Sequence, residues 1–360
     1  MSDKLIELIE ARAATAVAIV GMTKNVGKTV TLNYLIDRYT AAKRILGLVS
    51  AGYDGERFDR LTLKDKPRIH APAGSFVATA RACIDAAEAV LEPLYRSRLA
   101  TPLGEVWVAA VRKGGLVELA GPGSVSGLKH LVEDMKKRGA ERILVDGAIN
   151  RLASASPAVT SGMILASGAS VAPVLEDVIR KTIFRCELLE TPPVRDSLLE
   201  RKARDALNGG EAAVLHRKGR DWEAELFRAP IPLMTGPMLK ERCRAAGAMV
   251  VLGGALVDSF LSDLLELPTP PCLILRDATR IFVSPDTYYR YLKRGGDIRV
   301  LDPIDLIAVT LNPTDPLGKG YPPHDFLLRL EEALAPRPVF DLMLNRGSDQ
   351  CLPLIASTGK

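Results

Sequence analysis

Cysteine is sparse and unpatterned in this chain of 360 residues. Cys83, Cys186, Cys243, Cys272 and Cys351 are odd in number, widely scattered and form no CxxC pair, which argues against zinc or redox work and suits a reduced, cytoplasmic setting. The N-terminal segment Met-Ser-Asp-Lys-Leu-Ile-Glu-Leu-Ile-Glu carries charges throughout and lacks the apolar core of a signal peptide. No later stretch approaches the roughly 18 uninterrupted apolar residues of a membrane span, so no membrane partner is expected. Lys and Arg exceed Asp and Glu by 48 to 43, yet the excess is not gathered into a basic block, and no nucleic-acid partner is expected. Histidine is rare. His70, His130, His216 and His324 lie far apart, no Ser-His-Asp order or metal-ligand spacing emerges from them, and packing or surface roles are their expected use. Internal repeats and low-complexity tracts are also missing.

What is present is an ordinary globular composition, 47% hydrophobic and 25% charged, in a chain long enough for one large α/β domain or two smaller ones. An apolar run at 15–20 stops at Gly21, and a helical pattern through Val30, Leu32, Leu35, Ile36 and Tyr39 follows it, giving strand, loop, helix. Strands are predicted again at 44–50, at 142–145 with Asp146 as the strand end, and at 163–166, with helices from Ser124 to the Gly139 stop and through Val174, Leu175, Val178 and Ile183. Strand followed by helix, repeated, predicts a doubly wound, mostly parallel sheet. The β-like runs near 67–78 and 105–119 are broken by Ala-Gly and Lys-Gly-Gly, which predicts β-hairpin insertions forming a flap. Turn clusters at 191–193, 208–210 and 268–271 partition the second half. They suggest a core over 1–190 and an inserted subdomain or sheet extension over 191–271, with a hairpin at 212–227. The core then resumes over 272–360. Tyr288, Tyr289 and Tyr291 are either partly buried helix residues or a stacking surface.

The segment Gly21-Met22-Thr23-Lys24-Asn25-Val26-Gly27-Lys28-Thr29 matches GxxxxGK[ST] at every fixed position and falls between a predicted strand and a helix that opens through Val30. In such a loop successive backbone N–H groups wrap a β-phosphate, glycines permit the close approach, and the helix N-terminus adds positive potential. Lys28 is expected to reach the β- and γ-phosphates and the Thr29 hydroxyl to ligate Mg²⁺. The alternative is a glycine-rich turn with no ligand. Carboxylates at neighbouring strand ends are the natural partners of the metal. Asp146 closes the apolar strand Ile143-Leu144-Val145, where a Walker B carboxylate would sit. Asp54 follows the second strand and could orient a water or accept a proton, or it could simply belong to a Tyr-Asp-Gly turn. The expected catalytic set is therefore Lys28, Asp54 and Asp146, and the expected Mg²⁺ ligands are Thr29, Asp54 and Asp146. Glu56 and Asp59 are nearby alternatives, Arg151 could counter a transition-state charge or lie exposed, and Lys24 could touch phosphate or point to solvent.

This loop resembles that of dethiobiotin synthetase and its relatives in the SIMIBI class of P-loop proteins, whose loops often read Gly-Thr-Asp-Thr-x-Val-Gly-Lys-Thr; Val26 is the shared detail. A second likeness is Val309-Thr310-Leu311-Asn312-Pro313-Thr314-Asp315, similar to the late strand end that carries a base-contacting Asn in that family. The resemblance implies a P-loop NTPase fold, ATP with Mg²⁺ as cofactors, and an Asn312 that hydrogen-bonds adenine; an Asn-Pro turn without ligand is the alternative. Thr23 stands where the synthetase loop has an acidic residue and where the MinD and ParA branch has its extra lysine. Ser50-Ala51-Gly52 replaces the family's Lys-Pro, removing a lysine that would serve ligase chemistry. More loosely, the loop together with Val145-Asp146-Gly147-Ala148-Ile149-Asn150-Arg151 looks like the small ATP-binding subunit of lysine aminomutase reactivase, which implies a cobalamin-dependent aminomutase as protein partner. Two chains meeting to complete the site, a homodimer, would also follow from the class.

Three functions are compatible with these residues. An ATPase could use the triphosphate to change shape on a partner protein, with 53–55 and 147–148 ordered by phosphate and metal. An ATP-dependent ligase or small-molecule kinase would instead need a metabolite pocket. A nucleotide-sensing module would bind without turnover.

Overall fold

The computed structural model describes residues 4–52, 69–148, 154–209, 212–227, 241–243, 247–315, 318, 320–344 and 346–347. The chain divides into two compact units, Met1–Arg185 with Asp305–Lys360 and, between them in sequence, Cys186–Ile304.

In the first unit the chain forms β1 (Ala16–Gly21), β2 (Leu46–Ser50), β3 (Ile69–Ala71), β4 (Phe76–Ala80), β5 (Val90–Thr101), β6 (Gly104–Lys113), β7 (Gly115–Val117), β8 (Arg142–Ala148) and β9 (Gly162–Gly168); β17 (Leu306–Asn312), β18 (Val339–Asp341) and β19 (Arg346–Gly347) follow the second unit. Ten of them make one sheet in the order β19-β18-β17-β9-β1-β8-β2-β4-β6-β5, while β3 and β7 pair with each other outside it. From β18 to β4 every neighbouring pair is parallel, and antiparallel strands close both edges. Parallel strands need both faces covered, and the period of two delivers this. Val17, Ile19 and Leu144 pack with Leu5 and Ile9 of α1 (Lys4–Ala11) and with Leu32, Leu35 and Tyr39 of α2 (Lys28–Ala41). Their neighbours Ala16, Ile143 and Val145 face the other way, into a cluster with Leu128, Leu131 and Met135, which belong to the helix Val125–Lys137.

The structure corrects the flap expectation. β4 is buried along nearly its whole length and joins β2 in parallel, so the region extends the main sheet. The Pro-Ala-Gly turn at 72–74 does not fold β3 back on β4, because β3 takes β7 as its partner. β5 gave no strand signal. It is an edge strand whose side chains are only half covered at best, and it carries Pro93, register shifts against β6 and a left-handed Arg98, features that guard an open edge against further pairing.

The second unit holds a five-stranded sheet in the order β11-β10-β12-β14-β16, formed by β10 (Ala212–Lys218), β11 (Asp221–Phe227), β12 (Met249–Leu252), β14 (Cys272–Leu275) and β16 (Asp297–Val300), with a small β13 (Leu256–Val257) to β15 (Ile281–Phe282) pair beside it. β10 and β11 form the expected hairpin. The helix Ser197–Gly209 covers one face through Leu199 and Ala203 packed on Trp222, Val251 and Ile274. The expected return to the core at 272 is overturned, since β14 and β16 pair in parallel with β12 and with each other and the first unit resumes only at Asp305. The prolines at 268–271 lie on the crossover between two strands of one sheet. Tyr288 and Tyr291 are buried, the Tyr291 hydroxyl donating to the Pro271 carbonyl, so only the exposed Tyr289 could stack on anything else. Among the described residues no helix is long and apolar enough to cross a membrane.

An ion pair ties α1 to the sheet. Arg142 on β8 donates from both arms of its guanidinium to Glu10, through Nε at 2.8 Å and through Nη2, and this bond holds the Glu10 carboxyl below its ordinary value. A lowered carboxylate pKa contributes stability that is present above the unfolded value and lost as pH falls through the folded one. Glu10→Gln should therefore cost about 1 kcal/mol at neutral pH, in keeping with a pair that is partly open to water, and the gap to wild type in urea unfolding should close in acid. A gap that stays constant down to acid would show that the pair does not act through its charge.

Candidate functional site

β1 is where the sheet changes direction. The chain leaves it for β2, two places away beyond β8, and later fills β9 and β17 on its other side. In open parallel sheets the crevice outside the carboxyl ends of the strands at such a reversal is the usual ligand site, and the loop 21–29 begins at that end. Met22 N–H donates to the Ala166 carbonyl of β9 at 2.9 Å, so the pairing continues one residue into the loop. Val26 is buried and its methyl lies only 3.0 Å from where a Gly21 Cβ would stand; the loop is thus anchored from inside by an apolar side chain that needs Gly21 to remain bare. Thr23, Lys24 and Asn25 are exposed at its tip. Asn25 and Gly27 adopt left-handed dihedrals, with φ of 62° and 86°.

Gly27 is the N-cap of α2, which has neither a side-chain cap nor an acidic residue in its first turn. By contrast, the helix Val125–Lys137 is capped by the Ser124 hydroxyl and the helix Pro285–Lys293 by Ser284. The opening amides of α2, from Lys28 through Thr29 and Val30, therefore face a site with no side-chain acceptor of their own, next to the positive end of the helix dipole. Thr29 is partly buried and Val30 exposed.

Asp146 pairs in register with Ile19 of β1. The strand runs on to Ala148, two residues past the expected end, so Asp146 projects from the rigid sheet. Its Oδ1 stands 2.9 Å from Lys28 Nζ, with the two side chains 17% and 27% exposed. The contact is an ion pair without hydrogen-bond alignment, and Oδ1 is buried with no hydrogen-bond donor. The Asp146 carbonyl accepts from Ala51 N–H at 2.8 Å and from the Ser50 hydroxyl at 3.3 Å, which fixes the end of β2 alongside. Asp54, and with it Glu56, Asp59 and Arg151, lies outside the described residues. Among the described residues no group of three His, Cys, Asp or Glu side chains could hold a metal, so an ion at Thr29 and Asp146 would need phosphate oxygens and water for its remaining ligands.

Asn312, the last residue of β17, comes to the loop from the other side. Its Nδ2 donates to the Asn25 carbonyl at 3.1 Å, and its Oδ1 accepts from Thr314 N–H at 3.3 Å. The amide expected to meet a base is thus engaged with the loop itself. Sequence reasoning missed Ser170, whose hydroxyl reaches the same carbonyl at 3.5 Å, and the Ser167–Thr182 hydroxyl pair that extends to the Met22 sulfur. Serine in a Ser-Gly-Ala-Ser turn carries no signal of such a role. The chain matches no protein-family model, no curated protein and no solved structure.

The packing of Asn312 against the loop is testable without any ligand. An alanine Cβ at Gly27 would come within 3.0 Å of the Asn312 Cβ, whereas at Gly74, with φ of 84°, it would meet nothing within 4 Å. Both substitutions carry the same left-handed strain, on the order of 1–2 kcal/mol. Gly27→Ala should exceed Gly74→Ala by about 1 kcal/mol for overpacking in equilibrium unfolding; equal costs would mean that Asn312 does not occupy that space.

Proposed function

We propose that this chain is a P-loop NTPase whose loop 21–29 binds a nucleoside triphosphate with Mg²⁺, ATP by its likeness to the SIMIBI class, and that hydrolysis changes its shape on a partner protein. The single observation that carries the reading is the Lys28–Asp146 pair. The two charges are mostly withdrawn from water, which is costly unless the pair is well aligned, and their 2.9 Å contact lacks hydrogen-bond alignment, so the arrangement makes better sense as two groups waiting for different partners. On binding, Lys28 would exchange Asp146 for phosphate oxygens, and the uncapped amides at the start of α2 would donate to the same anion. Asp146 and the Thr29 hydroxyl would then be free to hold the metal, which supplies charge neutralisation between phosphate oxygens when bound. The loop's fixed shape means these donors need little rearrangement to meet the anion.

The action on a partner is supported by a compact second unit, with no metal-binding cluster among its described residues, in a chain that also carries an intact loop. A cobalamin-dependent aminomutase is the partner that the reactivase likeness suggests. Titration calorimetry with Mg-ATP should detect binding to wild type. Lys28→Ala should weaken it about ten- to a hundredfold, the cost of losing charge-assisted bonds. Asp146→Ala should abolish hydrolysis while leaving metal-free triphosphate binding near wild type, since it removes a negative charge from beside the anion. Absence of any heat from Mg-ATP on folded protein would sink the proposal; binding without turnover or change in amide exchange, even with the partner present, would leave only the triphosphate site.

A further inference from the structure

We infer that Asn312 is a positioning residue that sets the shape of the loop 21–29, acting on the phosphates through the backbone of Asn25 and not by reading the nucleotide base; the inference deepens the triphosphate reading and rests on it. The orientation of its amide is settled by its neighbours. A backbone carbonyl can only accept and a backbone N–H can only donate, so the contacts to Asn25 O and Thr314 N fix which end is nitrogen.

The side chain fills a space that three features leave for it. A Cβ on Gly27 would lie 3.0 Å from the Asn312 Cβ, and a Cβ on Gly168 would lie 3.1 Å from that atom and 2.5 Å from the Asn312 carbonyl oxygen. The third feature is the left-handed turn at Asn25, which a non-glycine residue adopts only at some cost. Asn312 thus touches the loop at both of its left-handed residues. Because a trans peptide carries its C=O and N–H on opposite sides, drawing the Asn25 carbonyl toward Asn312 turns the Val26 N–H away from it. Ser170 adds a second, longer contact to the same carbonyl. Direction of the loop amides is what recognition of a phosphate depends on, whatever base is attached.

The test compares wild type, Asn312→Ala and Asn312→Asp, titrated with Mg-ATP, Mg-GTP and magnesium tripolyphosphate, together with amide exchange of the ligand-free proteins. Asn312→Asp keeps an acceptor for Thr314 N–H and sets an oxygen against the Asn25 carbonyl. Both variants should lose about tenfold in affinity for all three ligands, with the ratio of ATP to tripolyphosphate unchanged. In ligand-free protein, exchange across 24–27 should rise about tenfold while the later turns of α2 stay protected. Loss for ATP alone, with tripolyphosphate binding intact, would make Asn312 a base reader and overturn the inference. So would wild-type behaviour of Asn312→Asp, or unchanged exchange in both variants. If wild type binds none of the three ligands, the triphosphate reading falls, and exchange still decides whether Asn312 holds the loop.

Discussion

β1 runs between two parallel neighbours, and its register with them decides where the polar groups of the site stand. Ile19 lies opposite Asp146 on one side and Ile164 on the other, and Gly21 lies opposite Ala148 and Ala166. With that register and a period of two, Asp146 shares a face with Leu144, the face on which α2 packs, so Lys28 at the start of α2 meets it directly. A slip of β8 by one residue would turn Asp146 toward the opposite helix layer and leave Lys28 facing an apolar side chain. Hydrogen bonding beyond the last paired residue, from Met22 to Ala166, carries the rigidity of the sheet into the loop.

Much of this was legible in the sequence because it is written in local patterns. The loop, the strand before it and the helix after it follow from nine residues and a change of hydrophobic period, and the strand with Asp146 follows from an apolar run flanked by an amphipathic helix. What escaped has a common cause. β5 is an exposed edge with Pro93 and the charged residues Glu92, Arg96 and Arg98, so it buries too little to leave a hydrophobic signature. β4 is rich in small residues and follows a Pro-Ala-Gly turn, which looked like the tip of a hairpin. The tie between Asn312 and Asn25 joins residues 287 apart in sequence, and neither residue advertises the other. Asn312 does end its strand next to the loop, but the sequence offers no way to tell a bond to ligand from a bond to the loop.

The extent of the second unit was misread for a related reason. Proline clusters punctuate chains at domain borders and at crossovers alike. Only the pairing of β14 with β12 and of β16 with β14 shows that 268–271 belongs to a crossover, and pairing between strands separated by a helix is a tertiary fact. The assignment of β14 and β16 to one sheet or the other was beyond what periodicity can decide.

The energetics of the loop explain why its supports come from so far away. Two left-handed residues in succession are separated only by Val26, and a free chain would rarely hold both. The structure offsets that strain with contacts from three directions: an apolar anchor at Val26 over Gly21, a strand bond at Met22, and the Asn312 amide at Asn25. Each is individually worth about 1 kcal/mol, comparable to the strain it opposes. Their sum leaves a loop already shaped before any ligand arrives, which lowers the ordering cost of binding. Lys28 is held by the Asp146 carboxylate at 2.9 Å without hydrogen-bond alignment, and in the proposed function it is the group that changes partner. Under the proposed function, a preshaped loop with an exchangeable Lys28 would grip an anion firmly and still release it.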